Sequence, residues 1–179
     1  MNNNEIYNED QERGIKWNKL LTVISIINTL VIFQHFITRY KKLNNEDLIL
    51  NILVIIYVLV CALRSIWPRV DGSGLCFYDN FISSPFFGRC CATVAEISFG
   101  LFLVNVTKII FRYIGPFSVK NILSILNNSL VYIITIAQFF CWMGIISKDA
   151  NYNAIEESLW TIFGSSKFII YLILLLNIN

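Results

Sequence analysis

Polar and apolar residues are segregated along this chain into long blocks. Predominantly apolar stretches fill positions 20–38, 48–67, 90–111, 122–146 and 158–176, and most charged residues lie between them. A helix rises 1.5 Å per residue, so about 20 mostly apolar residues cross about 30 Å of hydrocarbon. All five blocks meet that length. Inside hydrocarbon every backbone N–H and C=O must be paired within the protein, which leaves only helices and closed barrels. A barrel would show alternating strands of about ten residues, and these blocks do not alternate. The pattern predicts an all-α fold: a polytopic membrane bundle of five transmembrane helices, with four or six as the alternatives. That count turns on the segment 75–87 (LCFYDNFISSPFF), which is apolar enough to enter the membrane as a re-entrant piece.

The flanks support the blocks. Lys16 and Lys19 precede the first, and Arg39, Lys41 and Lys42 follow it; Pro68 ends the second, and Pro116 and Lys120 precede the fourth. Residues 1–19 are polar and of mixed charge, without the basic segment, short apolar core and small-residue exit of a secretory signal. They are expected to form a polar N-terminal tail ahead of one helical-bundle domain, 20–179.

Composition sharpens this picture. The chain is 56% hydrophobic and 15% charged, with a mean hydropathy of +0.61, whereas soluble domains hold about 45–50% apolar and about 25% charged residues. The bilayer is the expected partner. A net charge of +2, with no basic tract and no Cys/His finger spacing, disfavours nucleic acid. With five spans, Arg13, Lys16, Lys19, Arg69, Arg89 and Lys148 fall on the N-terminal side, here face A. Arg39, Lys41, Lys42, Lys108, Arg112 and Lys120 fall opposite. The balance gives the positive-inside rule no imbalance to read.

Polar and small residues recur in the spans at intervals of three and four, which places them on one side of each helix. The stripes are Ser25, Asn28 and His35; Thr93, Glu96, Gly100 and Thr107; Ser124, Asn128, Thr135 and Gln138; and Glu157, Trp160, Gly164, Lys167 and Tyr171. Most of these serve as packing seams. Glu96 and Lys167 differ, because an ionisable group near the bilayer centre costs at least about 2.5–3.5 kcal/mol. Counted from the block ends at about 1.5 Å per residue, Glu96, Gln138 and Lys167 reach similar depths of about 9, 12 and 13 Å. An intramembrane polar layer built on a Glu96–Lys167 ion pair beside Gln138 is expected.

Face A also carries loops 68–90 and 147–157. Arg64, Arg69, Asp71, Asp79, Arg89, Glu156 and Glu157 gather there with turn-forming glycines, as a binding loop requires. All five cysteines lie toward that face, and Cys76 and Cys90 are candidates for a disulfide. The chain lacks the Cys-x-x-Cys pair of quinone-linked disulfide-forming enzymes and vitamin K epoxide reductases. One histidine, His35, leaves no metal site of the usual spacing. No nucleotide or hydrolase motif occurs, and no cofactor is implied. Three readings of function follow. The protein binds or passes a small polar or lipidic ligand through the polar layer; or it is a membrane enzyme acting on a lipid or thiol at face A; or it is a structural or assembly subunit.

Overall fold

The computed structural model describes residues 3–40, 43–67, 80–114 and 116–177. Among these the protein is entirely helical. Its five α-helices are α1 (Asn3–Arg39), α2 (Asn45–Ile66), α3 (Pro85–Tyr113), α4 (Lys120–Ser147) and α5 (Ala150–Leu176), with a short 3₁₀ turn at Phe81–Ser83. All five are long and apolar enough to cross a membrane. The predicted all-α architecture is therefore correct. The polar residues expected as a tail are drawn into α1, which runs back to Asn3. Only 80–87 of the re-entrant candidate is described; it forms the 3₁₀ turn and the first turn of α3.

Local chemistry sets the ends. Asn44 caps α2 by accepting from the Asp47 backbone N–H at 2.8 Å, and Glu46 and Asp47 complement the positive end of the helix dipole. Ser84 Oγ accepts from the Phe87 N–H at the start of α3, where Pro85 stands at a position that needs no backbone donor. At the other end of α3, Lys120 Nζ donates to the Ile114 carbonyl at 3.0 Å and satisfies one acceptor left over by the helix. Two residues join α4 to α5. Lys148 takes a left-handed conformation (φ 57°) to stop α4, and Asp149 caps α5 by accepting from the Asn151 N–H.

The chain divides into two compact units, Met1–Ala95 and Glu96–Asn179, with the boundary inside α3. In the first, α1 packs on α2, and Thr22 Oγ1 lies 3.2 Å from the Ser65 carbonyl, within hydrogen-bonding distance. These two helices are poorly covered: their apolar windows are 6% and 0% buried, against 33% in both α3 and α4.

The second unit is built on a seven-residue repeat. On α4 the buried positions Leu123, Asn127, Leu130, Ile134, Ala137, Cys141 and Gly144 alternate steps of four and three, with Gln138 buried beside Ala137. On α5, Glu156, Phe163, Lys167, Ile170 and Leu174 keep the same repeat, with partly buried Trp160 filling the gap. Two such seams facing each other favour a left-handed antiparallel pair. The C-terminal half of α3 adds Val104, Thr107 and Phe111 to this core. On the outer side of α4, Ile125, Tyr132, Phe139 and Ile146 recur every seven residues and are 61–72% exposed. A continuous exposed apolar stripe is unfavourable in water and favourable in lipid.

Glycines on the inner and outer surfaces should respond oppositely to substitution. A Cβ on Gly100 would run into the Ile134 side chain, whereas Gly164 has nothing within 4 Å of the same position. Gly164→Ala is expected to raise stability by up to ~1 kcal/mol through helix propensity. Gly100→Leu is expected to lower it by ~1–3 kcal/mol through overpacking. Thermal unfolding of the purified protein in detergent measures both.

Candidate functional site

The most constrained polar group is Lys167. Its side chain is only 4% exposed, and its ammonium is held by oxygens of the two neighbouring helices. It donates to the Leu103 carbonyl at 3.1 Å, to Thr107 Oγ1 at 2.9 Å and to Asn127 Oδ1. An ammonium has three N–H donors and no acceptor, so three oxygens complete its shell. The rings of Phe163 and Tyr171 lie 5.9 Å from Nζ, close enough for cation–π attraction.

The partners are themselves satisfied. Asn127 uses its amide N–H to donate to the Val104 carbonyl at 3.1 Å, leaving Oδ1 for the lysine. Thr107 Oγ1 lies 2.7 Å from the Leu103 carbonyl and 3.1 Å from the Tyr171 hydroxyl. If Thr107 gives its one proton to the Leu103 carbonyl, its oxygen accepts from both Lys167 and Tyr171, and the same carbonyl also accepts from Lys167. Asn127 and Thr107 are wholly buried. The lysine layer thus ties α3, α4 and α5 together through buried side chains.

Glu96 and Gln138 form a second polar contact, in which Gln138 Nε2 donates to Glu96 Oε2 at 2.6 Å. The ammonium of Lys167 goes elsewhere, so the expected Glu96–Lys167 ion pair is not formed. The reason is axial register. The fifth apolar block starts at 158, but α5 begins at Ala150, eight residues earlier. From the α4–α5 turn, Gln138 then lies about 14 Å along α4 and Lys167 about 26 Å along α5. Along α3, Glu96 precedes the lysine-binding carbonyl of Leu103 by seven residues, about 10 Å. The single layer predicted from the sequence is two.

The stripe expected on α4 holds Asn128, whereas the buried amide is that of Asn127. At 100° per residue, position 127 lies within about 20° of Gln138 around α4, and position 128 lies about 80° away. The helical angle thus carries the signal that spacing alone blurs. Asn128 is exposed.

The face-A candidates separate between the units. Arg64, exposed at the end of α2, and Arg89, buried near the start of α3, belong to the first. Glu156, buried, and Glu157, exposed, lie one after the other on α5 in the second. Arg69, Asp71, Cys76 and Asp79 lie outside the described residues, and with Cys76 goes the Cys76–Cys90 pairing. Cys61, Cys90, Cys91 and Cys141 form no disulfide with one another. No group of three metal-ligating side chains occurs among the described residues. Comparison with known protein families, curated proteins and solved structures finds no match.

Lys167→Met removes three donors at once and leaves the Asn127 and Leu103 oxygens buried. A loss of ~1–3 kcal/mol of stability is expected. Adding Asn127→Leu removes the orphaned amide and should restore most of that loss, since a buried polar group is costly mainly when its partner is gone. Denaturant titration of the two variants in micelles checks the sign and the recovery.

Proposed function

We propose that this is an integral multi-pass membrane protein with a structural or assembly role, in which Lys167 is an internal clamp. One observation carries this reading: the ammonium is fully coordinated by the chain's own oxygens. A lysine that captures a substrate, carries a proton or forms a covalent adduct needs an approach to Nζ, and 4% exposure of the residue gives little. Its charge is compensated by oxygen dipoles and aromatic faces, which suits a permanent joint between three helices. The helices of this unit then present a fixed outer surface to lipid and to neighbouring proteins.

The test separates stability from work done by the lysine. The triple variant Lys167→Met, Asn127→Leu, Thr107→Val replaces the clamp by apolar groups of similar size. In cells lacking the endogenous protein it is expected to accumulate in membranes and restore growth as the natural chain does. A triple variant that is stable and abundant but fails to restore growth overturns the structural reading.

Glu96 and Gln138 favour a second reading, ligand handling. Glu96 is only partly buried, and its carboxylate meets an amide inside a span, which suits a small polar or lipidic ligand. Under that reading Glu96→Gln, nearly isosteric, should leave the melting temperature in place while abolishing growth restoration. Equal function of this variant removes the reading.

A further inference from the structure

The first unit carries an unanswered polar group in the middle of a span. Asn28 is nine residues beyond Lys19 and eleven before Arg39, about 14 and 16 Å from the charged flanks of α1. Its side chain is exposed and makes no hydrogen bond among the described residues, in contrast to Asn127. A bare amide at this depth in hydrocarbon costs several kcal/mol unless something bonds to it. The neighbouring hydroxyls on the same helix are turned to the backbone: Ser25 donates to the Thr22 carbonyl and Thr29 to the Ser25 carbonyl.

Asn28 is also placed within a repeat. Trp17, Leu21, Ile24, Asn28, Val31 and His35 follow one another at steps of four, three, four, three and four, all on exposed positions of α1. That is the seven-residue pattern of an interhelical seam, with the amide at its centre. It adjoins the stripe that packs on α2, where Thr22, Ser25 and Thr29 are less exposed. Beside it, between α1 and α2, lies an open cavity of about 200 Å³ lined in part by Leu21, Ile24, Asn28, Tyr57 and Cys61.

We propose that this face of α1 is the interface with a second copy of the chain, joined by reciprocal hydrogen bonds between the two Asn28 amides. Three constraints select this occupant. An amide is self-complementary, because it carries both an acceptor oxygen and N–H donors. Two copies inserted in the same sense run parallel, so position 28 meets position 28 at the same depth. A parallel pair is also the arrangement in which an asparagine within an apolar seam fixes register. Phospholipid tails cannot supply this bond, since they have no polar atom at the bilayer centre. The pairing is independent of the part played by Lys167, which belongs to the other unit.

The experiment uses the full chain, labelled with donor or acceptor fluorophores and reconstituted in phosphatidylcholine vesicles over a range of protein-to-lipid ratios. Energy transfer should rise with protein density for the natural chain. Asn28→Leu is expected to weaken association about tenfold, with Asn28→Gln retaining most of it. Asn28 is exposed, so the leucine variant should keep its helical content, which circular dichroism verifies. Independently, Ile24→Cys in a chain that also carries Cys61→Ser, so that the new thiol has no partner across the α1–α2 cavity, should give a disulfide-linked dimer on mild oxidation in membranes. A natural chain that stays monomeric at all densities overturns the proposal. So does association unaffected by Asn28→Leu, or an Ile24→Cys chain that associates but forms no crosslink through the new thiol.

Discussion

A charged amine inside a bundle of apolar helices has to be met by oxygens from the same molecule, and the C-terminal half of this protein is arranged around that requirement. The ammonium of Lys167 reaches one backbone carbonyl and one hydroxyl on α3 and one amide oxygen on α4. Each contact fixes a different degree of freedom. The Leu103 carbonyl and Thr107 hydroxyl, one turn apart, fix the rotation of α3. The Asn127 amide fixes the axial position of α4. Apolar packing alone is compatible with several registers, because one leucine is much like another along a seam. A polar contact with a short directional range is not.

Around that joint the seven-residue repeats of α4 and α5 provide the area, and small residues provide the approach. Gly100 lets α3 come against Ile134, and Gly144 lets α4 come against Asn153 near the tight turn. The left-handed Lys148 and the Asp149 cap make that turn two residues long, which sets the antiparallel pairing of α4 and α5. In the N-terminal unit the logic is different. There α1 packs on α2, and most of their apolar surface stays open. The C-terminal unit answers Lys167, Asn127 and Glu96 internally, whereas α1 leaves Asn28 exposed.

Much of this was legible in the sequence, though at limited resolution. The five helices, and the inward turn of Thr107, Gln138 and Lys167, follow from block length and helical spacing. Partner assignments did not follow. Treating apolar blocks as helix ends misplaced Lys167, because α5 begins in the polar segment at Ala150. Adjacent polar pairs were also misassigned: Asn127 is buried and Asn128 exposed, Glu156 buried and Glu157 exposed. Neighbours on a helix differ by about 100° in direction, so a stripe drawn one residue off points to another surface.

By itself, the sequence determined that the chain makes membrane-length helices and that its few intramembrane polar side chains cannot be spread at random. Both follow from the cost of exposing backbone and polar groups to hydrocarbon, which depends on residue type and is nearly independent of context. Only the tertiary structure decided which polar group meets which: Lys167 with Asn127 and Thr107, and Glu96 with Gln138. Those pairings depend on the rotation and axial register of each helix. Packing against neighbours sets both, and a residue count along one helix contains neither.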